Sequence, residues 1–167
     1  GVVGDLAGFV ASTYMRGIDF INIPTTTLAQ VDSSIGGKTA INLGNVKNCI
    51  GSFYQPKLVM IDLDTLNTLD ERNLNNGLIE ALKMGLILDP SIIDLFKDYK
   101  SNLKEIITKS IKAKIKVVEL DAHEKNLRKI LNFGHTIGHA IEASGKFNDL
   151  LHGECVGLGM LYMVSDD

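Results

Sequence analysis

The sequence predicts an α/β segment followed by an all-helical one, divided here as residues 1–70 and 71–167. Three observations carry that reading. Two short apolar runs bounded by turn residues, 20–23 and 58–61, fall in the first part and read as buried strands. Beyond residue 70 the apolar pattern has a helical period throughout. Asp89-Pro90 then separates two helical stretches, since proline suits the first turn of a helix and not its interior.

In chain order, a glycine turn at Gly1 and Gly4 precedes a helix over 4–15, whose apolar side is Leu6, Phe9, Val10 and Tyr14. The strand at 20–23 stops at Pro24, and Thr25 to Thr27 supply hydroxyls and a helix start for 28–31. Residues 32–38, Asp-Ser-Ser-Ile-Gly-Gly-Lys, form a polar loop; the second strand is bounded by Pro56 and Asp62. The helices then run over 72–88, 90–99, 102–120, 123–143 and 153–164.

Composition limits what the chain does. A hydrophobic content of 45% over 167 residues supports a real core. A net charge of −3 gives no electrostatic case for nucleic acid. No apolar run reaches the roughly 18 residues of a membrane span, and no signal-peptide pattern opens the chain. Cys49 and Cys155 form neither a disulfide framework nor a Cys-x-x-Cys pair. They read as reduced, buried small hydrophobes, consistent with a cytoplasmic setting. The chain lacks an initiator Met and stops inside an apolar helix pattern, so it reads as a piece of a longer protein.

The most informative stretch is 128–139. Arg128, Asn132, His135 and His139 stand at i, i+4, i+7 and i+11, which places them on one face of a single helix. An Arg, an Asn and two imidazoles on one face suit metals and anions, and His152 follows in His-Gly-Glu. Glu80 and Lys83 sit i, i+3 on a helix that is apolar nearly all round, so both need partners. They form either an internal ion pair or a carboxylate ligand beside an ammonium. Glu80 with His135 and His152 makes a two-His, one-carboxylate set of the kind that holds a catalytic zinc. Lys114 lies on the apolar stripe of its helix, with Lys112 and Lys116 facing outward; it either snorkels to the rim or points into a polar cavity. Lys38-Thr39 ends a glycine loop, but a Walker A sequence needs Gly where this chain has Asp32. Gly1 and Gly4 fit the downstream part of a turn that approaches a pyrophosphate.

These residues sit in six ordered motifs. They are Gly-Val-Val-Gly-Asp-Leu-Ala-Gly-Phe, Pro-Thr-Thr-x-Leu-Ala-Gln-Val-Asp-Ser-Ser-Ile-Gly-Gly-Lys-Thr, Gly-x-x-Lys-Asn-x-Ile-Gly-x-Phe-Tyr-Gln-Pro, Glu-x-x-Lys, Leu-Asn-Phe-Gly-His-Thr-x-Gly-His-Ala-Ile-Glu and Leu-His-Gly-Glu. Across the whole chain and in order, they resemble the 3-dehydroquinate synthase family. The resemblance implies the C-terminal portion of a Rossmann-like NAD-binding domain followed by an all-α metal- and substrate-binding domain. It implies conversion of 3-deoxy-D-arabino-heptulosonate 7-phosphate to 3-dehydroquinate with loss of phosphate, in the shikimate route. NAD⁺ used transiently and a divalent metal, zinc or cobalt, come with it, as does a homodimer.

By the same resemblance Glu80, His135 and His152 match metal ligands. Gly1, Val2, Val3, Gly4, Asp5, Thr25, Thr26, Lys38, Lys47, Thr65, Leu66, Asn67 and Thr68 match cofactor-binding segments. Asp32, Lys38, Asn48, Lys83, Lys114, Arg128, Asn132 and His139 match the substrate site, with His139 assigned to phosphate handling. Arg16 matches an arginine lent across the dimer. Two departures stand out: the usual Asp-Glu-x-Glu reads Asp121-Ala-His-Glu124, and Asn126 replaces the usual Gly. Both imply local effects on a turn. The resemblance also implies that this segment alone does not turn over. Another sugar-phosphate cyclase of the same superfamily, or an inactive truncated fragment, is the competing reading.

Overall fold

The computed structural model describes residues 1–44, 46–144 and 149–164; Asn45 of the Gly44 to Asn48 motif and residues 165–167 lie outside the described residues. Helix α1 (Val2–Thr13) leads into strand β1 (Ile21–Asn22), a π-helical turn (Ala29–Ser33) and strands β2 (Lys38–Leu43), β3 (Val46–Phe53) and β4 (Leu58–Val59). Helices α2 (Glu71–Ile87), α3 (Ser91–Leu95), α4 (Leu103–Leu120), α5 (His135–Ala143) and α6 (His152–Val164) complete the chain. The two expected strands pair in parallel, Ile21 opposite Leu58 and Asn22 opposite Val59. They are not buried: Ile21, Ile23, Leu58 and Met60 are exposed, because the sheet has only these two strands among the described residues.

Up to Leu120 the helical part forms largely as its period predicts. Asp70 caps α2 by accepting from the Asn73 amide at 2.9 Å and from the Asn73 side chain at 2.7 Å. Beyond Leu88 the chain turns at Asp89-Pro90 into α3. Leu78, Ala81 and Met84 of α2 bury against Ile106, Ile107 and Val117 of α4 and against Ile92 and Leu131. This core fixes the axis on which Glu80 and Lys83 ride.

Four further expectations fail, each for a physical reason. The glycine turn at Gly1 is already helical from Val2, because nothing crowds the Gly1 or Gly4 backbone into another conformation. The apolar side expected for α1 is largely outside: Leu6, Val10 and Tyr14 are exposed, and the helix instead lays Gly8 and Ala11 inward, with Gly8 against Thr39. Residues 38–53, where no strand is predicted, form an antiparallel hairpin from Lys38 opposite Phe53 to Leu43 opposite Val46, with Gly44 at φ +56°. With the hairpin goes the expected burial of Cys49, which lies exposed on β3, while Cys155 is buried.

The fourth failure concerns the expected helix over 123–143. It is two pieces, a 3-10 segment (Leu127–Asn132) and α5, joined through Phe133 and a left-handed Gly134 at φ +78°. Arg128 and Asn132 therefore do not continue the face of His135 and His139. A stretch of Asp121 to Glu124 precedes the 3-10 segment. The Asp121 carboxylate accepts the backbone N–H groups of Lys125, Asn126 and Arg128 at 2.9, 2.7 and 3.0 Å.

Those three donors, Arg128 foremost, hold Asp121 below the usual carboxylate range. A depressed folded value contributes stability above the unfolded value of about 3.9 and loses it as pH falls through the lower folded value. The stability gap between the native protein and Asp121→Asn should therefore be constant near neutrality and close as pH drops below about 4. Denaturant midpoints at a series of pH values measure it; a gap that persists into strong acid would rule out this role.

Candidate functional site

Helix α2 and the much later, consecutive helices α5 and α6 bring the expected ligands together. Glu80, on α2, is fully buried, and its Oε1 has no hydrogen-bond partner among the described residues. His135 Nε2, at the start of α5, lies 3.6 Å from that oxygen, and His152 Nε2, at the start of α6, lies 3.8 Å from it. The His135 and His152 rings sit 5.3 Å apart, with the exposed His139 ring 5.4 and 5.7 Å from them. One ligand nitrogen from each of these three imidazoles falls within 4.8 Å of the others.

The donor chemistry fits a dication. Burial, and then the Lys83 ammonium, push the His135 imidazole down to about 4, so it is neutral near pH 7. Its Nδ1 lies 3.3 Å from the Phe133 carbonyl, which can only accept, so Nδ1 carries the proton. Nε2 then keeps its lone pair and faces Glu80. An unpartnered carboxylate oxygen beside a neutral imidazole nitrogen is a pair of electron donors facing one point.

Lys83, also buried, donates to the other Glu80 oxygen, Oε2. The ion-pair reading of Glu80 and Lys83 therefore holds, with Oε2 taking the ammonium and Oε1 left unpartnered. Burial pushes the Glu80 carboxyl up, against the pull of Lys83. Lys114, buried on α4, resolves in favour of the polar cavity: its Nζ donates to the Asp32 carbonyl and, at 2.6 Å, to Asp32 Oδ1. Burial opposes the Asp32 charge, but Lys114 and then Lys83 outweigh it and hold the carboxyl well below the usual range. Asp32, Lys114, Lys83 and Glu80 thus form one charged cluster, with the neutral His135 imidazole beside it.

Arg128 lies within electrostatic reach of Asp32 and Lys114 but is braced by backbone carbonyls. It is buried, and its Nη1 donates to the carbonyls of Gly36 at 2.9 Å and Ala122 at 2.7 Å. Gly36 has φ +99°, and a Cβ there would lie 2.3 Å from Arg128 Nη2, so the loop admits the guanidinium only as glycine. Asn132 donates to Glu124 at 2.9 Å, and Lys38 pairs with the same carboxylate. Asn48, at φ +51°, donates its backbone N–H to the Asn42 side chain on the exposed hairpin. Arg16 sits in an exposed left-handed turn away from this cluster, between Met15 and Gly17.

A cleft of about 420 Å³ opens beside the cluster, lined by Gly1, Val2, Val3, Gly4, Asp5, Thr25, Thr26 and Lys38. Asp5 on its wall lies within electrostatic reach of Asp32 and Lys114. The start of α1, two threonine hydroxyls, a lysine and the buried, unpartnered Ser34 Oγ make a lining suited to a phosphate-bearing cofactor. Lys47, Thr65, Leu66, Asn67 and Thr68 do not line it. Lys47 pairs with Glu142 at 2.6 Å, the Thr65 hydroxyl donates to the Asp62 carbonyl, Leu66 is in the core, and Asn67 and Thr68 are exposed.

Three carboxylates not singled out from sequence prove structurally central. Glu124 gathers Lys38 and Asn132. Glu154, one turn into α6, takes a bidentate pair from Arg72 at 2.7 Å on each branch and accepts the Leu151 N–H, which ties α6 to α2. Glu142 faces both Lys47 and His152. Only Glu142 had a readable signal: it stands at i+3 from His139 and i+7 from His135, on their face of α5.

Comparison with known proteins places this arrangement. Residues 1–76 match the family model for the 3-dehydroquinate synthase N-terminal part and residues 77–165 that for its C-terminal part. The chain belongs to the 3-dehydroquinate synthase family. It is 56% identical over 173 residues to a 3-dehydroquinate synthase of Thermoanaerobacter sp. (strain X514), covering 97% of this chain and 48% of the relative. A Clostridium botulinum 3-dehydroquinate synthase is 51% identical, with 98% and 49% covered. The chain spans about half the length of the curated relatives it matches.

Among solved structures, 2-epi-5-epi-valiolone synthase from Streptomyces hygroscopicus subsp. jinggangensis 5008, with NAD⁺ and Zn²⁺ bound, superposes with a TM-score of 0.86 at 32% identity. That match covers 95% of this chain and 47% of the other. A 2-deoxy-scyllo-inosose synthase complexed with carbaglucose-6-phosphate, NAD⁺ and Co²⁺ gives 0.85 at 35% identity, covering 96% and 47%. The fold is thus the dehydroquinate-synthase-like fold of the sugar-phosphate cyclases. Among the described residues no helix is long and apolar enough to cross a membrane.

Proposed function

We propose that this chain supplies the metal- and substrate-binding side, and one wall of the cofactor cleft, of a 3-dehydroquinate synthase. In this reading the substrate is 3-deoxy-D-arabino-heptulosonate 7-phosphate and the products are 3-dehydroquinate and phosphate. Residues 1–70 form part of the NAD side and 71–167 part of the metal and substrate side. The observation that carries it is the convergence of Glu80, His135 and His152 beside the Lys83, Lys114 and Asp32 cluster.

Glu80, His135 and His152 would hold the zinc or cobalt ion, and the cleft at Gly1 to Asp5, Thr25, Thr26 and Lys38 would hold NAD⁺. The metal would supply polarisation of a substrate oxygen, and the nicotinamide a hydride acceptor that returns the hydride. Lys83 and Lys114 offer two buried ammonium groups for the anionic ends of the substrate, each now neutralised by a carboxylate that an incoming anion replaces. Asp32 holds Lys114 charged and oriented until then. His139, exposed beside the metal ligands, is placed to exchange a proton with a departing phosphate. Arg128 and Asn132 act from behind, Arg128 fixing the Gly36 loop and Asn132 fixing Glu124. The identity of over 50% to 3-dehydroquinate synthases, against 32–35% to the other cyclases, favours this substrate over theirs. A homodimer with Arg16 at the interface and a cytoplasmic setting complete the proposal.

The test is a coupled assay on the full-length gene product with the heptulosonate phosphate, NAD⁺ and zinc. Stoichiometric phosphate and dehydroquinate are the expected products. Turnover of a different sugar phosphate, with none of the heptulosonate, would transfer the assignment to another cyclase.

A further inference from the structure

His152 has two ring nitrogens, and each faces a carboxylate. Nε2 lies 3.8 Å from Glu80 Oε1, while Nδ1 lies 3.9 Å from Glu142 Oε2. The other Glu142 oxygen, Oε1, accepts from the Lys47 ammonium at 2.6 Å. Lys47 comes from β3 of the hairpin, 95 residues away in sequence, so the contact joins the two parts of the chain. Its side chain is 64% exposed and that of Glu142 22%. A histidine that ligates a metal through one nitrogen is oriented by what its other nitrogen faces, and a carboxylate there fixes the tautomer and strengthens the ligand.

We propose that Glu142 is a positioning residue for His152: it orients the imidazole so that Nε2 faces Glu80, and Lys47 anchors the carboxylate from the hairpin. The inference rests on the metal site proposed above. It adds a residue that neither the ligand set nor the substrate cluster contains, and it gives Lys47 a role on the metal side. Because Lys47 holds one oxygen and His152 faces the other, the lysine acts only through Glu142. The exposed ion pair contributes little by itself, about five-fold or less in an equilibrium constant. The effect of the carboxylate on metal affinity is larger, typically 10- to 100-fold.

The experiment is a Co²⁺ titration of the full-length protein, followed by its visible absorption, for the native form, Glu142→Gln, Lys47→Met, the double variant and Glu80→Gln. Glu142→Gln should weaken Co²⁺ binding about 10- to 100-fold and alter the cobalt spectrum. Lys47→Met should weaken it by about five-fold or less, and this loss should vanish in the Glu142→Gln background. Melting of each metal-free variant separates a local effect from misfolding; if Glu142→Gln does not fold, Glu142→Ala takes its place. Native affinity and spectrum in a folded Glu142 variant, with binding lost in Glu80→Gln, would overturn this inference alone. Unchanged binding in Glu80→Gln would overturn the metal site itself.

Discussion

Glu80→Ala should abolish specific divalent-metal binding and also destabilise the fold. The carboxylate is the only acid in the two-His, one-carboxylate set, and one of its oxygens has no other partner among the described residues. Its other oxygen neutralises Lys83, whose side chain is 1% exposed. Truncating Glu80 leaves that ammonium buried and unpaired, which costs about 3–5 kcal/mol. Against a domain stability of roughly 5–15 kcal/mol, such a loss is severe. The double variant Glu80→Ala/Lys83→Met removes the stranded charge and should recover most of the stability while leaving the metal unbound. Denaturant midpoints and Co²⁺ titrations of the two variants separate the effects. A single variant as stable as the native protein would show that Lys83 does not depend on Glu80.

Gly134→Ala should lower both stability and metal affinity, although it touches no ligand. Gly134 has φ +78°, where a side chain costs about 1–3 kcal/mol. An added Cβ would lie 2.5 Å from Met160 Cγ and 2.8 Å from the Val156 carbonyl of α6. The methionine can swing aside, but the backbone carbonyl cannot, so overpacking adds about 1–3 kcal/mol. The combined loss is about 2–6 kcal/mol. Since His135 is the next residue and His152 opens α6, the same wedge pushes two ligands apart, and metal affinity should fall with the melting temperature. Gly157→Ala is the control. It meets only the flexible end of Ile79, at 3.2 Å, and should cost far less. Equal losses at the two positions would refute the special role of the left-handed turn.

The features that were legible and those that were not divide along a physical line. The helical period alone outlined α2, α4 and α6, because each buries one stripe and the apolar residues mark it. Lys114 was recognisable as a misplaced charge for the same reason. The hairpin at 38–53 was missed because its residues are largely exposed and its strands lack a clean alternation of buried and exposed positions. The helix over 123–143 was overextended for a different reason. Four polar residues in register imply one face only while the helix runs unbroken, and Gly134 breaks it. Arg128 instead braces the Gly36 loop from within, still in electrostatic reach of Asp32 and Lys114.

The sequence by itself determined which residue types occur and which local stripes they form, and six ordered motifs were enough to point to the family. It could not determine that Glu80 keeps one oxygen unpartnered, that Asp32 neutralises Lys114, or that Glu142 stands behind His152. Those arrangements rest on contacts across 10 to 95 residues made by α2, α4, α5, α6, the π-helical turn and the hairpin. Periodicity is a property of one element, set by its own backbone geometry. Distance between elements is set by how their buried faces pack, and only the tertiary structure decides that.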